Sequence, residues 1–182
     1  VVGTTQARVT LSGTTMTVDL DQIGDSNIIA ASILQGNGSS WTYKATGDSN
    51  TAAITVGGTG DSTSTDFDFE ATGDSNVLTF TQGDSATATT GNQDFVVTGT
   101  SNNINAKCNV VGCINSWTVS GNSNDIDTVQ SGRQDHDITV VLTGSSNNVD
   151  VDQTDTASTN VANIISTTST GTIDIDQCAS GC

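Results

Sequence analysis

Apolar residues in this chain occupy alternate positions within short runs, and each run stops at glycine and small polar residues. Counting forward from Asn27, Asn50, Asn76, Asn102, Asn124 and Asn147, the second residue is Ile29, Ala52, Leu78, Ile104, Ile126 or Val149. The fourth is Ala31, Ile54, Phe80, Ala106, Thr128 or Val151, and the sixth is Ile33, Val56, Gln82, Cys108, Gln130 or Gln153. A period of two puts such side chains on one face of a β-strand. Counting back from Gly24, Gly47, Gly73, Gly99, Gly121 and Gly144 gives a second strand. Four residues earlier stand Leu20, Tyr43, Phe69, Phe95, Trp117 and Val140; six earlier stand Val18, Trp41, Phe67, Gln93, Asn115 and Ile138. Nearly all the aromatic residues therefore lie in this second strand.

The punctuation is itself a repeat. Gly-Asp-Ser-Asn stands at 24–27, 47–50 and 73–76, with looser copies at 99–102, 121–124 and 144–147, and the spacings are 23, 26, 26, 22 and 23 residues. A fixed period in the twenties marks a solenoid, in which each repeat is one coil stacked on the last. The expected fold is all-β: one β-solenoid domain over residues 1–182, with six to seven two-stranded coils starting near 24, 47, 73, 99, 121 and 144. Ala7, Val9 and Leu11 with Val18 and Leu20 read as a first coil, and "GTIDIDQ" at 171–177 as a final strand. Parallel strands of successive coils then form two sheets packed face to face about 10 Å apart. The six asparagines are expected at coil corners, each stacked on the next.

Composition narrows the function. Twenty acidic residues against four basic ones give a net charge of -16, which offers phosphate backbones no basic face and excludes a conventional nucleic-acid binder. Attachment to an anionic membrane is disfavoured on the same ground, and no apolar run is long enough for a membrane span. The start at Val1-Val2-Gly3 fits cleavage of a secretory signal, or removal of an initiator Met. Cys108 with Cys113 and Cys178 with Cys182 read as two local disulfides of an oxidising compartment; an interchain bond through the terminal "CASGC" is the alternative.

The runs "GDSNVLTFTQG" at 73–83, "GNSNDIDTVQSG" at 121–132 and "GSSNNVDVDQ" at 144–153 resemble the curlin-type repeat. The endings "VDLDQIG" at 18–24 and "TIDIDQ" at 172–177 share its Asp-x-Asp-Gln. The resemblance implies inward amide ladders made by Asn76, Asn124 and Asn147 with Gln82, Gln130 and Gln153, and a secreted subunit that stacks end to end into adhesive fibres. The chain departs from that pattern in its aromatic second strand, in Val56 and Cys108 at the Gln position, and in its paired cysteines. Bacteriophage repeat-fibre proteins and some ice-binding solenoids write similar turns.

Candidate chemistry is sparse. Gly-Asp-Ser can present a nucleophilic serine, but Ser26, Ser49 and Ser75 are equivalent and the single histidine, His136, lies in "QDHD" on a turn. Catalysis needs one nucleophile beside a base, so these serines are read as turn residues, with Gly supplying positive φ and Asp, Ser and Asn closing side-chain to backbone turns. Asp125, Asp127, Asp150, Asp152, Asp174 and Asp176, with Asp19 and Asp21, place Asp-x-Asp pairs on strand surfaces. Stacked carboxylates repel unless a cation lies between them, so Ca²⁺ is a candidate ligand there, weighed against a solvated acidic face. Thr46, Thr72, Thr98 and Thr143 suggest an ice-binding column, broken by Lys44, Glu70 and Val96 two residues earlier. Asn37-Gly38-Ser39 is one glycosylation sequon. The expected function is a non-enzymatic structural subunit that polymerises with itself outside the cell. The alternative is a bacteriophage fibre or capsid-attached adhesin that holds a cell-surface glycan.

Overall fold

The computed structural model describes residues 6–35, 38–57, 65–83, 89–109, 111–131, 136–155, 160–167 and 170–179. Its fifteen strands are β1 (Gln6–Ser12), β2 (Thr17–Ile23), β3 (Ile28–Gln35), β4 (Ser40–Thr46), β5 (Thr51–Val56), β6 (Thr65–Thr72), β7 (Val77–Gln82), β8 (Thr89–Thr98), β9 (Asn103–Cys108), β10 (Val111–Ser120), β11 (Asp125–Ser131), β12 (Asp137–Thr143), β13 (Asn147–Asp155), β14 (Val161–Ser166) and β15 (Gly171–Ala179). The odd-numbered strands form one sheet of eight in chain order, and the even-numbered strands form a second sheet of seven. Every neighbouring pair is parallel. The molecule is a β-solenoid of about six turns, with no helix among the described residues.

The alternation read from the sequence becomes alternating burial. In β4, Trp41, Tyr43 and Ala45 are buried while Ser40, Thr42 and Lys44 are exposed. Register then stacks like upon like: Tyr43, Phe69, Phe95 and Trp117 are consecutive partners across β4, β6, β8 and β10. Their ring centroids lie 5.4, 6.1 and 3.9 Å apart. Phe80 enters from the opposite sheet and stacks on Phe67 at 3.9 Å. Such contacts add about 0.5–1.5 kcal/mol each beyond the area they bury. Partly offsetting this, the indole Nε1 atoms of Trp41 and Trp117 are buried without a hydrogen-bond partner.

The rod has two ends in the described chain. β1 and β15 close the first sheet, and β2 and β14 the second, each with one strand neighbour. Ile173 and Ile175 in β15 continue the column of Val149 and Val151. Those two valines are fully buried, whereas the isoleucines remain 39% and 37% exposed, with no strand beyond β15 among the described residues.

Candidate functional site

The Gly-x-Ser-Asn corners are built by two sets of hydrogen bonds that run in opposite directions. The backbone N–H of each motif asparagine donates to the side-chain Oδ1 of the asparagine in the following coil: Asn27 to Asn50, Asn50 to Asn76, Asn76 to Asn102, Asn102 to Asn124, and Asn124 to Asn147, at 2.9–3.1 Å. From Asn50 to Asn147 these side chains are buried. The second residue of the motif works the other way. Oδ1 of Asp25 accepts the N–H of Asp48, that of Asp48 accepts Asp74, and that of Asp74 accepts Thr100, at 2.6–2.9 Å. The motif aspartates thus bond to the next coil, where the sequence suggested closure of their own turn.

The serine plays a part that the sequence did not reveal. Ser26, Ser49, Ser75, Ser101, Ser123 and Ser146 all adopt left-handed backbone, with φ of 57–59°. A non-glycine residue is uncommon there, and the six-fold recurrence shows that the corner imposes it. Glycine is needed on two counts: Gly47 and Gly121 have φ of 115° and 134°, and a Cβ on Gly47 would meet the Gly24 carbonyl oxygen at 2.7 Å, while one on Gly121 would overlap that of Gly99. These serines are exposed backbone pivots.

The inner side of the opposite corner is polar and varied. Gln153 Nε2 donates to Gln130 Oε1 at 2.7 Å, and Gln177 Nε2 to Gln153 Oε1 at 2.6 Å. Gln82 has Val56 and Cys108 as strand partners and cannot join that ladder. Its Oε1 instead accepts Nε2 of Gln93 from the facing sheet at 2.7 Å. Cys108 and Cys113 are bonded to each other and fully buried. Cys178 is also disulfide-bonded, and Cys182 lies outside the described residues. His136 is fully buried in this corner, where its Nδ1 accepts the Cys113 N–H at 3.1 Å. Asn37 of the sequon lies outside the described residues.

The candidate calcium carboxylates form columns on the outer face of the first sheet. Asp127, Asp150 and Asp174 are register partners across β11, β13 and β15, as are Asp152 and Asp176. The carboxyls of Asp127 and Asp150 are held above their ordinary range, first by loss of surrounding water and then by neighbouring carboxylates, Asp152 foremost. Asp68 is raised in the same way on the second sheet, with Asp94 and Asp66 beside it. No group of three or more His, Cys, Asp or Glu among the described residues could hold a metal ion. The threonine column is on the outer face of the second sheet, where Thr46, Thr72, Thr98, Ser120 and Thr143 are register partners.

Charge is divided along the rod in a way the sequence reading missed. The strands β1, β3, β5, β7 and β9 contain no Asp or Glu and carry Arg8 and Lys107. The same sheet ends in the acidic β11, β13 and β15. On the second sheet Asp19, Asp21, Asp66, Asp68, Glu70, Asp94 and Asp137 lie in β2, β6, β8 and β12, whereas β4, β10 and β14 contain no acid and β4 carries Lys44. Sorting the outward residues of each strand by coil would have exposed this signal. No family model, curated protein or solved structure matches the chain.

Proposed function

We propose that this chain is a non-enzymatic structural subunit whose coils stack end to end into an extracellular filament, in the manner of curlin-type repeats. The observation that carries the reading is the pair of strand edges that no neighbour covers among the described residues. Ile173 and Ile175 continue a buried apolar column yet stay 39% and 37% exposed, and β15 offers an unpaired strand edge beside them. Uncovered edges are templates for further strands, and another copy of the same coil is the surface of matching shape. The buried disulfide supports an oxidising compartment. The Asn and Gln ladders support the curlin comparison.

Electron microscopy of the purified chain tests this directly. Unbranched filaments a single rod wide are expected; dispersed particles at every concentration, pH and ionic strength tried would overturn it. The virion-fibre or adhesin alternative draws on the polar outer faces. However, the two tryptophans, the tyrosine and the four phenylalanines are all buried, so a glycan would have no aromatic ring to stack on.

A further inference from the structure

We propose that the outer face of the first sheet docks a second copy of this chain, the two rods lying side by side and antiparallel, with Arg8 of each copy against Asp127 of the other.

Charge selects the face. In a chain of net charge -16, the five neighbouring strands β1, β3, β5, β7 and β9 contain no acid. β11 adds Asp125 and Asp127, which Arg8 and Lys107 balance, so these six strands carry no net charge. The motif residues Asp25, Asp48 and Asp74 lie at the corner, off the strands, and their Oδ1 atoms are engaged by N–H groups of the next coil. Arg8, Ala30, Ala53 and Thr55 line a shallow depression of about 410 Å³ on this face. Its small side chains leave room for those of a facing sheet.

Register then fixes the arrangement. Arg8, Ala30, Ala53, Thr79, Asn105 and Asp127 form one column along the rod. A two-fold axis parallel to the strands, passing between β5 and β7, turns that column onto itself: Arg8 faces Asp127, Ala30 faces Asn105 and Ala53 faces Thr79, each twice. The depression thereby receives the longer side chains of the partner. The Asp127 carboxyl, raised by loss of surrounding water and by Asp152 and Asp125, is favoured in its charged form by the facing guanidinium. A two-fold axis along the rod fails, because it sets every strand against itself and Asp127 against Asp127. Six strand spacings by six residues cover about 600 Å² on each copy, the low end for specific interfaces, so a dissociation constant on the order of 10 μM is expected.

The pairing does not rest on end-to-end stacking. Asp150, Asp152, Asp174 and Asp176 in β13 and β15 lie beyond the paired strands. Where copies stack, those strands of a neighbour come opposite them, carboxylate against carboxylate, so the pair belongs to the unstacked chain and a filament stays one rod wide.

Sedimentation of the unstacked chain tests the proposal, with melting temperature as the check that each variant is folded. Arg8 and Asp127 are five strands apart in one chain, roughly 24 Å, so any coupling between them passes between copies. Arg8→Asp and Asp127→Arg are each expected to weaken the dimer at least tenfold, or about 1.4 kcal/mol. The double variant, and an equimolar mixture of the two single variants, restore both charge pairs and are expected to dimerise as the wild type does. Independently, Ala53→Cys mixed with Thr79→Cys is expected to form an intermolecular disulfide under mild oxidation, whereas Thr42→Cys on the outer face of the second sheet is not. A wild-type chain that stays monomeric at about ten times the expected dissociation constant, single variants that dimerise undiminished, absence of rescue, or failure of the Ala53→Cys and Thr79→Cys chains to link would each overturn the proposal.

Discussion

At one corner of every coil the chain turns through Gly-x-Ser-Asn; at the other it turns through connections of unequal length. Strands stop on the residue before each motif glycine, at Ile23, Thr46, Thr72, Thr98, Ser120 and Thr143, without exception. At the opposite corner, β9 and β10 are separated by two residues and β5 and β6 by eight. The spread of repeat lengths from 22 to 26 residues is therefore absorbed on one side of the rod. The motif corner cannot share in it, because its N–H groups bond to adjacent coils, those of Gly and Ser to backbone carbonyls and those of Asn and Asp to side chains. One constant corner fixes the register, which leaves the other free to vary in length and to fill its interior with amides, a disulfide or a histidine.

Breaking the constant corner should cost most. Gly121 has φ 134° and no room for a Cβ, so Gly121→Ala is expected to cost several kcal/mol, on the order of 3–5, from strain and overlap together. Urea denaturation measures this, and a loss below about 1 kcal/mol would make the corner as permissive as its counterpart. Asn124→Ala removes the acceptor of the buried Asn102 N–H, with an expected cost of about 1–3 kcal/mol in the same assay.

The variable corner should respond less. Replacing both Cys108 and Cys113 by alanine opens a five-residue loop, for which chain entropy gives about 2 kcal/mol; comparing oxidised and reduced wild type provides an independent measure. Smallest of all, two residues inserted in the connection between β7 and β8 should cost a few tenths of a kcal/mol. The same insertion between Gly121 and Asn124 should prevent folding. Equal thermal stability of the two insertion variants would erase the distinction between corners.

Much of this frame is legible in the order of residues alone. The alternation after Asn76 and before Gly99 reads as two strands because burial on one face leaves a direct trace in sequence, and the motif spacing reads as coils because stacked corners repeat. The Cys108–Cys113 bond is legible from proximity. What stays hidden depends on neighbours more than twenty residues away or on the facing sheet. The left-handed serines are not signalled by residue type, since serine has no special preference for that region. The reach of Asp48 to Asp74, the pairing of Gln82 with Gln93 across the core and the burial of His136 require both partners to be placed in space.

The parallel ladders also determine how the rod should bear load. Strands lie across the axis and their hydrogen bonds lie along it, so tension applied between the two ends falls on the outermost rung before the next. A coil that lets go converts roughly 4.8 Å of rod into roughly 80 Å of extended chain. In an optical trap the molecule is expected to lengthen in a series of such steps; rupture in one event would show that the coils fail together. A filament of these subunits would yield by releasing slack, coil by coil, before it parted.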